Sequence, residues 1–205
     1  MKNFSYTKSP QLIKKIAQAE DLHLKILITH IPVLIQQQLI FDATVDRLSY
    51  LHRLLDHPPI AKESLTQLLN PIGRRNLTPD GVLLASYKQL LDDTYLDSYA
   101  LYKAVTSQSI LSSASKLARP SSGKNNEINV TSTDHNLQYI QTNADHPFIQ
   151  AALAQLLILS DSEYTGIEMP LSFIIVYQFL FTHGYDFRKM LAIEQLYFRA
   201  KNVFP

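Results

Sequence analysis

What most constrains this chain is a repeated punctuation, in which a short hydroxyl residue is followed by proline and then by apolar residues at helical spacing. Ser9-Pro10 precedes Leu12, Ile13, Ile16, Ala19 and Leu22, and Thr78-Pro79-Asp80 precedes Tyr87, Leu90 and Leu91. A Ser or Thr oxygen can accept one of the orphan amides of a helix start, and proline at the first helical position loses no hydrogen bond. The periodicity predicts helices over 10–29, 32–55, 61–69 and from 78 onward. The second stops where His57-Pro58-Pro59 forbids further helix. A break is expected near Asp92-Asp93, with helix resuming over 95–117. Residues 70–73, Asn-Pro-Ile-Gly, are turn formers. Further helices are expected over 147–160, over 170–183 with Gly184 just past the end, and over 186–201. The fold class is therefore all-α in the main.

Between residues 118 and 145 the composition shifts to Ser, Asn, Thr, Gly and Gln, which predicts a long flexible loop. Within it residues 128–133 could pair as one strand of a short β-hairpin. Residues 1–60 read as an N-terminal helical region and 61–205 as the main helical domain, together forming one continuous unit.

The 205 residues are 46% hydrophobic and 18% charged, enough to bury a sizeable core. Nineteen Lys and Arg against eighteen Asp and Glu leave a formal charge of +1, which provides no field for nucleic acid. There is no cysteine, so disulfides, thiol nucleophiles and cysteine-bound metals are excluded. The apolar runs 153–159 and 169–181 are shorter than the ~20 residues a spanning helix needs. No signal-peptide pattern follows Lys2 and Lys8. No membrane partner is expected, and the chain reads as cytoplasmic.

Three stretches in order resemble the Fic family, whose members transfer AMP from ATP to a protein hydroxyl. They are residues 4–7 with 12–20 (FSYT and LIKKIAQAE), 146–154 (HPFIQAALA), and 183–191 (HGYDFRKML) with Glu194 and Tyr197. The resemblance implies a Fic-like helical bundle, and the Gly-Tyr-Asp-Phe-Arg segment is its most specific part. It also implies a lost active site. Where the family carries HPFxDGNGR, a gapless placement puts residues 162–170, so Ser162 stands for the histidine, Gly166 for the acidic residue, Glu168 for the asparagine and Pro170 for the arginine. Serine cannot act as a general base near neutral pH as imidazole does. Proline offers neither an amide nor a charge to a phosphate. The family's self-inhibiting helix is similarly degenerate, with His52 and Asp56 at its key positions.

Charge agrees with this. Between Lys124 and Arg188 there is no Lys or Arg, against seven carboxylates at Glu127, Asp134, Asp145, Asp161, Glu163, Glu168 and Asp186. A triphosphate would meet repulsion. Mg²⁺ held by Asp161, Glu163 and Glu168 would reverse that locally, but a solvated acidic loop capping the next helix is the plainer reading. No catalytic residue, cofactor or metal is therefore expected. The expected function is a non-catalytic Fic-like module that binds a protein partner, with Ile128 and Val130 in a flap suited to strand pairing. Two alternatives stand beside it: AMP or phosphoryl transfer with Glu163 or Glu168 as base, and an unrelated helical domain. Self-association is left open.

Other groupings carry less. His52 and His57, five apart, suit no metal-binding helix spacing and read as cations near a helix C-terminus. Residues 120–124, PSSGK, lack the first glycine of a phosphate loop. Asp92, Asp93 and Asp97 read as a solvated face. Ser162, His183 and Asp186 lack any turn that would present the serine as a nucleophile. Tyr177, Tyr185 and Tyr197 read as buried rings with their hydroxyls wet or paired.

Overall fold

In a computed structural model the described residues are 6–70, 77–98, 105–117, 130–143, 145–160, 164 and 166–201. They form helices α1 (Pro10–Ile28), α2 (Val33–Leu54), α3 (Lys62–Leu69), α4 (Pro79–Ser98), α5 (Ser107–Leu117), α6 (Val130–Thr142), α7 (Pro147–Leu159), α8 (Glu168–Thr182) and α9 (Ile193–Lys201). Among the described residues there is no strand, so the all-α class holds.

The caps behave as their residue types dictate. Ser9 Oγ accepts the amide of Leu12 at 3.1 Å and Thr78 Oγ1 that of Gly81 at 3.2 Å. At the start of α5, Thr106 and Ser109 exchange side-chain bonds with each other's amides, a reciprocal cap.

The core is organised around α8. Eleven of its fifteen residues are buried, among them Leu171, Phe173, Ile174, Ile175, Tyr177 and Phe179. A helix apolar on every side has no face to offer water and must lie at the centre. α7 packs along it, α4 and α5 cover other sides, and the C-terminal half of α2 packs on α9. Each large side chain so buried contributes about 1.5–3 kcal/mol.

Four expectations are corrected. The helix expected over 95–117 is two, because α4 runs unbroken through Asp92-Asp93 to Ser98 and α5 starts afresh at Ser107. The loop expected over 118–145 is helical over Val130–Thr142, where Leu137 and Ile140 bury one face against the core. Residues 130–133 are thus helix rather than strand, which removes the flap reading of Val130; Ile128 and the phosphate-loop-like segment 120–124 lie outside the described residues. The helix expected over 186–201 begins only at Ile193, after a left-handed turn discussed below. The turn formers at 71–73 also lie outside the described residues.

Candidate functional site

Residues of 12–20, 146–154 and 183–191 meet in space at Glu20, His146 and Tyr185, where they fasten α1 to the rest of the fold. Gly184 sets the geometry. Its φ of +83° ends α8 with the amide of Tyr185 bonded to Leu180 O at 2.9 Å and that of Gly184 to Phe181 O at 3.0 Å. Only glycine adopts this left-handed cap without steric cost. The chain then turns through Phe187, Arg188 and Lys189 at φ of 46°, 50° and 63°. Three consecutive non-glycine residues in that region cost on the order of 1–2 kcal/mol each. Such a turn persists only if its surroundings over-determine it.

They do so from two sides. Towards α1, Tyr185 OH donates to Glu20 Oε1 at 2.5 Å, and His146 Nε2 lies 2.5 Å from the same oxygen. These bonds hold the Glu20 carboxyl below its ordinary pKa, Tyr185 contributing most, while partial burial and the bond to Glu20 raise Tyr185 to about 12. Phe187 stacks with Phe148 and meets the buried His23 ring edge-on. Arg188 Nη1 and Nη2 donate to the carbonyls of Thr29 and Leu27 at 3.0 and 2.7 Å. A cation on the last carbonyls of α1 satisfies orphan acceptors and complements the helix dipole. Asp186 accepts the amide of Arg188 at 3.0 Å. At the other end of α1, Lys8 pairs with the buried Asp145 beside His146.

Towards the core, Arg47 of α2 is 2% exposed and donates to the carbonyls of Lys189 (2.8 Å) and Leu191 (2.7 and 2.9 Å) and to Tyr95 OH (3.0 Å). Burial works against its charge, but the surrounding Tyr177, Tyr95 and Glu194 more than offset this and keep the guanidinium ionised. Glu194 is fully buried and takes Tyr177 OH at 2.8 Å on one oxygen and Tyr87 OH on the other. Burial raises its pKa against the pull of Arg47 and the two phenols. Arg47 and the tyrosines Tyr87 and Tyr95 escape sequence reasoning, since each sits at an ordinary core position of its helix. An arginine on the apolar face of the C-terminal half of α2, between Val45, Leu48 and Leu51, was the available signal.

Of residues 162–170, the described ones lie at the start of α8. Gly166 is exposed with φ +89°, and Pro170 is buried at the third helical position. Glu168 occupies the first turn, so a carboxylate stands where a helix start would otherwise attract an anion. The amides of Ile167 and Leu171 are bonded to Tyr164 O and Ile167 O and so are already engaged within the chain. Asp161, Ser162 and Glu163 lie outside the described residues. His183 Nδ1 lies 2.7 Å from Phe179 O and Asp186 caps Arg188, so these two do not assemble a triad. Asp92 and Asp93 pair with Lys88 and Lys116, at 2.5 and 3.1 Å.

What the clamp holds is largely uncovered. Of sixteen exposed large apolar residues among the described ones, eleven belong to α1 or the first part of α2: Leu12, Ile13, Leu22, Leu24, Leu27, Ile28, Val33, Leu34, Ile35, Leu39 and Phe41. Ile28 is 82% and Leu34 79% exposed. Lys25 is the one charged residue between Asp21 and Asp42, and it is paired with Asp21 at 2.6 Å. No described helix is long and apolar enough to cross a membrane. Elsewhere, His52, His57 and Asp80 gather within 4.8 Å by their ligand-capable atoms. No family model, no curated protein and no solved structure matches this chain.

Proposed function

We propose that the chain is a catalytically silent, Fic-like module that engages a protein partner through the apolar surface of α1 and the first half of α2. The observation that carries this reading is the concentration of exposed large apolar residues on one element pair. A concentration of exposed large apolar side chains of this kind suits an interaction site. The clamp gives that surface a defined orientation, so a partner meets a pre-ordered platform and ordering costs less on binding. With a single, internally paired charge across residues 22–41, the partner's matching face is apolar and uncharged at its centre.

The silent chemistry rests on the start of α8, where Glu168 and Pro170 oppose a phosphate by charge and by a missing amide. The test is affinity capture from the source cell with the wild-type chain and with a Leu24→Gln, Ile28→Gln, Leu34→Gln variant. A partner retained by the first and absent from the second supports the platform. Equal capture by both removes it. Incubation with α-labelled ATP and Mg²⁺ should leave chain and partner unlabelled; label that disappears on Glu168→Gln would restore the transferase reading.

A further inference from the structure

The end of α2 places two imidazoles in contact by a backbone rule that sequence spacing alone does not suggest. The amide of His57 bonds to His52 O at 3.3 Å and that of Asp56 to Arg53 O at 3.1 Å, with Asp56 at φ 59°. This is the left-handed helix stop in which the residue two past the cap folds back onto the last turn. Aspartate tolerates that conformation better than most side chains. Residues five apart therefore meet, and the two rings stack with centroids 4.7 Å apart at 26°.

Asp80, in the first turn of α4, completes the group. Its Oδ2 lies 3.8 Å from His52 Nε2 and 3.6 Å from His57 Nδ1. Both distances exceed a hydrogen bond. They approach the separation of ~3.3 Å between ligand atoms on a tetrahedral zinc with bonds of 2.0–2.1 Å. The His52 ring is 5% exposed and its Nδ1 has no hydrogen-bond partner. His57 and Asp80 are each about one-third exposed along their side chains, which gives an ion a route in.

We propose that His52 Nε2, His57 Nδ1 and Asp80 Oδ2 bind one divalent transition-metal ion, zinc by donor set and spacing, with a fourth position open to solvent. Imidazole and carboxylate donors in a two-to-one ratio suit zinc better than calcium or magnesium, which take oxygen. The ion ties the end of α2 to the start of α4. It needs no cysteine and no histidine pair on one helix face.

The test uses the full-length, tag-free chain and Zn²⁺ alone. Equilibrium dialysis should show saturable uptake of one ion per chain, with a rise in melting temperature, since an ion bound only by the folded state stabilises it. Co²⁺ in place of Zn²⁺ should give the visible absorption of a four-coordinate ion. His57→Ala and Asp80→Asn, both at half-exposed positions, should each weaken Zn²⁺ binding at least ~10-fold and abolish the thermal shift. His30→Ala, on the exposed turn between α1 and α2, should change neither. Absence of one-to-one uptake, or affinity retained in both His57→Ala and Asp80→Asn, overturns the site.

Discussion

The arm, α1 with the first part of α2, and the body around α8 solve opposite problems with similar residue types. Both are rich in Leu and Ile, yet Leu171 and Ile174 are fully buried while Leu34 and Ile28 are almost bare. The body holds together by close packing of apolar side chains, reinforced by one buried ionic group of Arg47, Glu194 and three tyrosines. The arm has little such packing. It is fixed to the body by a row of polar ties at Lys8, Glu20 and Arg188, with Ile16, His23 and Phe187 between them. Packing resists local change because every lost contact leaves a void, whereas polar ties at a surface can open one at a time. The body should therefore unfold as a whole and the arm by itself.

The largest perturbation should come from Arg47→Leu. Removing one member of a buried charged group leaves the others uncompensated, at a cost of about 3–5 kcal/mol, measurable by urea unfolding. Because Arg47 also holds the carbonyls of the left-handed turn, the loss should appear in the arm as well as the body. A double variant with Glu194→Gln should recover part of the loss; no recovery would mean that Arg47 acts through the turn alone.

Next in size is Tyr177→Phe, which takes one hydrogen bond from Glu194 and an acceptor from the amide of Ile193. A loss of about 1–3 kcal/mol in the same assay is expected, with α1 exchange unchanged. Arg188→Ala should separate the regions most cleanly. Amide exchange across 20–29 should quicken severalfold, while global stability moves by no more than about 1 kcal/mol. If the body loses as much as the arm, the two are one cooperative unit.

Acid should weaken the arm by the same route. The Glu20 carboxyl has a lowered pKa in the fold, so its contribution is present above the ordinary glutamate range and is lost as the pH falls through the folded-state value. Hydrogen exchange in α1 should therefore rise on acidification before the body melts. The smallest effect on stability belongs to Leu24→Gln and Ile28→Gln, within about 0.5 kcal/mol, because both side chains already face water. Their effect should be on partner capture instead.

Where an element rests on its own residues, sequence and structure agree. Ser9, Thr78 and Gly184 mark ends that the backbone then adopts, since a cap is satisfied by atoms three to five residues away. Where a neighbour decides, sequence is silent. The Thr-rich run at 130–142 has weak helical character, and it is helical because Leu137 and Ile140 find a core to enter. The His52–His57 contact comes from a cap type that any of several residues could have formed, and Asp80 joins it only through the packing of α4. The residue types before α8, acidic and without Lys or Arg, were legible. The bare apolar faces of α1 and early α2 were not, because an apolar helix looks alike whether it is covered or bare.

By itself the sequence determined the helical class, most helix boundaries and the lack of histidine and arginine in the stretch before α8, for these depend on local stereochemistry and residue identity. Only the tertiary structure decided which apolar faces are buried, how the Gly-Tyr-Asp-Phe-Arg segment clamps α1, and which histidines and carboxylate come together. Those outcomes depend on contacts between residues up to 165 positions apart, such as Glu20 with Tyr185, whose closure no local preference encodes.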